Sequence, residues 1–489
     1  MAEFTEDELK LVNEMHATLV ARAKRNAERL RFAEAEERLQ KIGVSIPESM
    51  QDLQVALNWP QKAVEVFASR QIPQFYSMRD TASELYTSLE DIHADNDFTW
   101  LEPQAIEAAD LFGVSFLFTS LGGGPGEPEV LTVARTALTA TCIIDPRTRQ
   151  TLAAMEIVDG KRLNVYLPGA VHVTRRQLGG KWRIEETIPT PYQRVLCTPY
   201  VHDASLAKPF GRSRLTPTLL GLTMAGSRTL LRQEVSATFY QAPRLALLGA
   251  DDAVFTDKDG NRIDPWDVLT GAVWAVPDIS VDDDPEAPES LRRAAFEKFS
   301  QMSMQPFSDQ YRLIASAVSG ATSIPLQYLG VVQDSNPTSA AAIEASEVDL
   351  VRAVRAQNRS LSLGRKQHAV DLLTALNGDL PESALTTLRS LVPRWEDPRT
   401  RSLQEESQFV ATQVGVGNFQ PGSEATLRQL PIDAEDVRIF AAEAAAAKGA
   451  SVFERFINAP AAGAEGEETP ENDKNGAENA PGDGEGGTA

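Results

Sequence analysis

The chain has 489 residues, and 69 acidic side chains against 47 lysines and arginines leave it with a net charge of −22. So acidic a balance excludes a general coat for nucleic acid, because phosphates are held by cationic surface; the length allows about two to four folded units. The two cysteines, Cys142 and Cys197, stand in no CxxC spacing, which argues against a disulfide framework or a zinc site and predicts buried free thiols. No run approaches the roughly 18 apolar residues of a membrane span, and the first residues lack the apolar core of a signal peptide, so the expectation is a reducing cytoplasm and no membrane.

Residues 5–41 are densely charged, but Leu9, Val12, Met15 and Leu19 recur near one face and predict a helix. Ile46-Pro47 breaks it, and Asn58-Trp59-Pro60 opens another helix to residue 70. Helices are also predicted at 80–96 and 103–112, the latter with Pro103 near its start. From Gly113 the period changes to two. Strands are predicted at 114–121, 130–138, 140–144, 153–158, 162–167, 171–177 and 182–187, joined as one antiparallel meander. Asp159-Gly160 and Gly179-Gly180 have the two-residue form that closes hairpins. A helix over 217–240 follows, ended by Ala242-Pro243, and then short strands at 245–248 and 273–276 around a polar excursion. Residues 288–304 read as helical up to Pro306.

The stretch 308–378 is the most distinctive. A helix opens at Ser308-Asp309, carries Tyr311, Ile314 and Val318 as its stripe, and stops at Gly320. The segment 330–337 has no period and is rich in turn formers, and Asn336-Pro337 then opens a helix with no strong stop before Asn377-Gly378. Unbroken, it is about 60 Å long. Ile343, Leu350, Val354, Leu361 and Leu372 fall near one face, Arg352, Arg359 and Lys366 recur near the opposite one, and Gly364 marks the expected kink. Further helices are predicted near 382–391, 401–413, 423–430 and 433–458. Residues 461–489 carry eight acids against Lys474 alone and no apolar residue larger than alanine, the composition of a disordered tail. The fold class is therefore α+β.

Catalytic motifs fail one by one, and no cofactor, metal or catalytic residue is assigned. Gly122 to Gly126 lacks the lysine of a phosphate loop and sits between strands. The run Asp257 to Asp264 resembles part of a calcium loop, but Pro265 and Trp266 stand where the bidentate glutamate belongs. The histidines (His16, His93, His172, His202 and His368) show no metal-binding spacing, His202-Asp203 is a lone dipeptide in a loop, and the sequon Asn358-Arg359-Ser360 reads as accidental. The expectation is a protein that is not an enzyme.

Five local motifs, in order, carry a resemblance: Leu57-Asn58-Trp59-Pro60; Pro209-Phe210-Gly211-Arg212-Ser213-Arg214; Glu234-Val235-Ser236-Ala237 with Tyr240 and Ala242-Pro243; Ile324-Pro325-Leu326-Gln327-Tyr328-Leu329-Gly330; and Asn336-Pro337 with Ser339 to Ala341. Over residues 25–440 the chain resembles the portal proteins of tailed bacteriophages with long non-contractile tails. The resemblance implies a virion protein assembled in the host cytoplasm, a homo-oligomeric ring of about twelve subunits at one capsid vertex. Double-stranded DNA would pass through it during packaging and ejection. It implies a wing (1–213), a first stem helix (214–242), a clip (243–303), a second stem helix (304–320), a tunnel loop with a long wing helix (321–379), a helical crown (380–460) and the acidic tail. Val332, Gln333, Asp334, Ser335 and Asn336 would face DNA; Gln333 to Asn336 are short, polar and non-cationic, and would offer no phosphate clamp. Arg352, Arg355 and Arg359 would meet acidic neighbours across subunits or face the channel, the subunit contact being preferred. Asp257, Lys258, Asp259 and Trp266 of the clip would meet the terminase large subunit or the head–tail adaptor, with major capsid and scaffolding proteins as further partners. The alternatives are another capsid or connector ring protein that binds no DNA, and an enzyme assembled from dispersed residues.

Overall fold

The computed structural model describes residues 3–36, 55–79, 83–160, 162–177, 180–240, 245–248, 295–298, 303–331, 340–399, 403–430, 432 and 434–457. The chain divides into a unit running to Arg399 and a second from Thr400. Both are α+β or α by content, and the described sheets are all antiparallel.

In the first unit, α1 (Glu6–Ala33) opens with a capping box: Glu8 N–H donates to Thr5 Oγ1, and Thr5 N–H donates to Glu8 Oε2 at 2.8 Å. Helix α2 (Trp59–Ala68) has Pro60 in its first turn, where no N–H is needed. Helices α3 (Glu84–Asp95) and α4 (Phe98–Phe112) follow strand β1 (Pro73–Ser77), and Gly113 in the left-handed region ends α4. Strands β2 (Val114–Leu121) and β3 (Val130–Thr136) form a sheet with β9 (Cys197–Val201), in the order β3-β2-β9. Strands β4 (Ala140–Ile144), β5 (Thr151–Ile157), β6 (Arg162–Leu167), β7 (Ala170–Arg176) and β8 (Trp182–Pro189) pair consecutively in a second sheet. Next come α5 (Pro217–Tyr240), the paired strands β10 (Leu245–Leu248) and β11 (Ala295–Lys298), α6 (Gln305–Thr322) and a 3-10 turn (Leu326–Leu329). The long helix α7 (Ala340–Asn377), α8 (Glu382–Leu388) and β12 (Val392–Trp395), which pairs with β1, complete the unit.

The apolar core is laid out along α7. Its Leu350 and Val354 join Trp59, Phe67, Leu219 and Val318 in one buried cluster; its Leu361, Ala369 and Leu372 join Tyr76, Leu89, Ile106 and Tyr200 in another. Cys142 and Cys197 are free and buried beside β2, and Val12, Met15 and Leu19 of α1 cover the five-stranded sheet. The second unit holds α9 (Leu403–Gly415), α10 (Glu424–Leu427) and α11 (Ala434–Ile457). No described helix is long and apolar enough to cross a membrane.

Several expectations need correction. The single seven-stranded meander is two sheets, because β2 is buried at six successive residues and takes β9, not a continuation of β3, on its free edge. Within 288–304, residues 295–298 form a strand, since four consecutive backbone pairs to β10 override the local helical period. Pro306 opens α6 rather than ending a helix, α6 runs past Gly320 to a left-handed Ser323, and α4 begins at Phe98 with Pro103 inside it. The strand expected at 273–276, the run 257–264, the helix start at Asn336-Pro337 and the tail 461–489 lie outside the described residues.

Helix α7 continues through Gly364, whose role is close approach: a Cβ there would lie 3.0 Å from both Pro199 O and Tyr200 Cδ1 of β9. Gly364→Val should therefore lower stability by about 1–3 kcal/mol through overpacking. Urea denaturation reads this as a lower midpoint at unchanged slope, and an unchanged midpoint would show that β9 does not rest on this glycine.

Candidate functional site

The segment 332–336 and the clip residues Asp257, Lys258, Asp259 and Trp266 lie outside the described residues. What is described is how the chain is held on either side of 332–339. On the leading side Trp59, buried among α2, α5 and α6, donates Nε1–H to Leu329 O at 3.2 Å and stacks at a tilt on Tyr311. Val331 is buried. On the trailing side Glu347 of α7 is buried, and both Tyr328 OH and Arg70 Nη2 donate to its Oε1, the latter at 3.2 Å. Arg70 also donates to Tyr328 OH at 2.9 Å. Arg70, Tyr328 and Glu347 thus make a three-way clasp joining residues from both flanks. Burial, followed by the Glu347 hydrogen bond, raises the Tyr328 hydroxyl above its ordinary range.

The arginine row on α7 divides. Arg355 Nη2 is 2.9 Å from Asp397 Oδ1 of the same chain. Arg352 lies 3.7 Å from Asp349, one turn away, with both side chains largely in solvent. Arg359 is exposed, and among the described residues it has no ion-pair partner. Asn358, the sequon residue, is buried and accepts from Gln71 Nε2.

The inner face of α7 carries polar groups that sequence reasoning missed. Arg365 is 1% exposed. Its Nε and Nη2 donate to Glu102 of α4 at 2.7 and 3.1 Å, Nη2 also donates to Gln74 O, and Nη1 donates to Arg394 O at 2.6 Å. Tyr200 OH donates to the same Glu102 at 2.7 Å, and Tyr76 OH donates to Arg365 O. Burial alone would push the guanidinium down; Glu102, with Tyr76 and Tyr200, overrides it and holds the group above its ordinary range. Two turns on, Asp371 accepts from Thr198 Oγ1 at 2.5 Å and lies 2.8 Å from Arg194 Nε. The signal was present: Arg365 falls between Leu361, His368 and Leu372 on the apolar stripe, where a charge must have a partner.

Two turns the other way, Gln357 Nε2 donates to Asp110 of α4 at 2.9 Å, and Arg214 donates to Gln357 Oε1. Arg214 belongs to the Pro209–Arg214 motif. It stacks 3.2 Å over Phe67, lies 3.7 Å from Asp110 and approaches His202 Nε2 at 3.3 Å. Gly211 (φ +67) lets the motif fold against β9, because a Cβ there would lie 1.9 Å from His202 O. Burial raises Asp110 to about 7, against Arg214, and lowers Arg214 to about 10. Burial also lowers His93, His202 and His368 to about 3 each, so all three are neutral imidazoles. Among the described residues no group of three or more His, Cys, Asp or Glu could hold a metal ion. The Gly122–Gly126 turn is filled from within: Gly123 N–H and Gly124 N–H donate to Glu127 Oε2 at 2.9 and 2.8 Å, holding that carboxyl below its ordinary range.

The chain is similar to the portal proteins of two mycobacteriophages. It is 24% identical over 431 residues to the portal protein of Mycobacterium phage L5, covering 85% of this chain and 84% of that one, and 25% identical over 402 residues to the portal protein of Mycobacterium phage D29, covering 79% and 78%. No protein-family model matches the chain. Among solved structures, a chain in the neck of a native gene transfer agent particle computed with C12 symmetry covers 77% of this chain and 90% of its own at 13% identity and TM-score 0.42. A chain in the virion of the native particle gives the same coverage and identity at TM-score 0.38.

Glu102→Gln should cost about 3–5 kcal/mol, because it leaves a buried guanidinium without its counter-charge; urea denaturation measures it. For pH the signs oppose. The lowered histidines give stability that is present above about pH 6.5 and lost as pH falls toward 3. The raised Asp110 gives stability that is present below about pH 4 and lost as pH rises through 7. Asp110→Asn removes the second contribution, so its stability should fall more steeply than that of the parent between pH 6.5 and 4; denaturation series at several pH values compare the slopes.

Proposed function

We propose that this chain is a portal subunit, a non-enzymatic component of the virion that assembles with its copies into a ring at one capsid vertex. In this role it conducts double-stranded DNA during packaging and ejection. The observation that carries the proposal is the similarity to two portal proteins across about four-fifths of both partners' lengths. In this reading residues 1–213 are the wing, α5 and α6 the stem, 243–303 the clip, α7 the long wing helix, 380–460 the crown and 461–489 an acidic tail. Terminase and the head–tail adaptor dock at the clip, at Asp257, Lys258, Asp259 and Trp266, and capsid and scaffolding proteins meet the outer surface.

Residues 332–336 meet the DNA. Two features support this role for them. Gln333, Asp334, Ser335 and Asn336 carry no positive charge, so a ring of them binds no phosphate and releases no counterions. The clasp of Arg70, Tyr328 and Glu347, with Trp59 on Leu329 O, fixes where this stretch leaves and rejoins the body. The net charge of −22 adds repulsion that keeps passing DNA from sticking.

The test is native mass and negative-stain imaging of the purified chain, then packaging with Asp334→Lys and Asn336→Lys combined. The expected outcome is open rings for both proteins and a marked loss of packaged DNA for the variant. Rings with undiminished packaging would remove 332–336 from the channel. Absence of rings, even on co-expression with scaffold, would remove the portal reading.

A further inference from the structure

Resting on the ring reading above, we infer that neighbouring copies join through two specific faces: the outer stripe of α7 on one subunit and the outer stripe of α3, continued into the first turn of α4, on the next. Val348, Arg352, Arg359 and Leu363 follow one another at helical spacing on the side of α7 opposite Leu350, Val354, Leu361 and Leu372. Val348 is 40% and Leu363 53% exposed. Two aliphatic side chains left in water, bracketing two guanidinium groups, have the composition of an interface patch. Arg355 is not part of it, being engaged by Asp397. The Arg352–Asp349 pair, with side chains 76% and 81% exposed, holds Arg352 only weakly.

The complementary surface lies on α3. Its inner residues Tyr86, Leu89 and Ile92 are buried, while Glu84, Asp91 and Asp95 are exposed on the outer side, followed by exposed Asp97. No lysine or arginine occurs between Glu84 and Trp100. Trp100, in the first turn of α4, is 67% exposed. An exposed indole beside carboxylates suits a guanidinium, which can lie over the ring while it pairs with an acid.

The geometry makes the partner a second copy. The inner faces of α3 and α7 share one buried cluster, through Leu89 and Ile92 on one side and Leu361 and Leu372 on the other. Their outer faces therefore point away from each other. Two complementary faces directed apart on one molecule cannot meet within it; they give a head-to-tail contact, the kind that closes into a ring.

The test uses the full chain. Arg352→Glu with Arg359→Glu should shift the native mass from ring to single chain while circular dichroism and melting stay as in the parent. Asp91→Arg with Asp95→Arg should do the same, and all four substitutions together should restore rings. In co-expressed chains, Arg359→Cys and Asp91→Cys should form an intersubunit disulfide on oxidation by a copper–phenanthroline complex, since the native Cys142 and Cys197 are buried. Normal rings from the Arg352/Arg359 variant, or no restoration by the fourfold swap and no disulfide, would overturn the assignment of these faces while parent rings leave the portal reading intact. A parent that forms no ring removes both.

Discussion

The buried pair of Arg365 and Glu102 is the constraint on which the first unit depends. A charge taken out of water costs several kcal/mol unless its partners are all in place, and the net gain of such a pair is small once desolvation is counted. Its effect is on position. Arg365 reaches Glu102 of α4, the carbonyl of Gln74 on β1 and that of Arg394 on β12, while Tyr200 of β9 shares the carboxylate. Residues from 74 to 394 must arrive together, or a charge is left buried and unpaired. The register of α7 against four other elements is thereby set by one side chain, with Gln357 and Asp371 repeating the device a few turns to either side.

That register governs what α7 can present elsewhere. Its C-terminal half is packed into the cluster around Tyr76 and Leu89, whereas its N-terminal half is held by Leu350, Val354 and the Glu347 clasp. The same rotation that turns Arg365 inward turns Val348, Arg352, Arg359 and Leu363 outward. A slip of the helix about its axis would bury guanidinium groups and break the clasp together, so the body, the root of 332–339 and the exposed stripe form a single mechanical unit.

Most of this architecture was legible in the sequence because it repeats. The periods of α1, α5 and α7 and of β2 to β8 gave their positions, and the turn pairs gave the hairpins. What escaped is non-periodic or non-local. Strands β1 and β12 are short, contain proline, and are defined only by each other across more than three hundred residues. Strand β9 also carries a proline and is identified by β2. A missing side chain looks the same in a sequence whether it bends a helix or admits a neighbour, so the close approach of β9 to Gly364 was not legible. The arginine row was visible, but its division was not: only the fold brings Asp397 to Arg355. Arg365 itself stands in plain view on the apolar stripe, but the sequence alone does not separate it from the exposed basic residues beside it. Trp59, Gly211 and Tyr328, which lie in the motifs that carry the resemblance, are anchor points of the body.

The glycine-rich turn at 122–126 has a meaning beyond its failure as a nucleotide site. Consecutive backbone N–H groups pointing one way attract any anion, and here Glu127, three residues on, already occupies them. A carboxylate tethered that closely acts as an intramolecular competitor, at an effective concentration on the order of millimolar or more. Free phosphate, or the backbone of a nucleic acid brushing this surface, would have to displace a ligand that cannot diffuse away. The turn is thus an anion receptor supplied with its own occupant, and other anions meet it already filled.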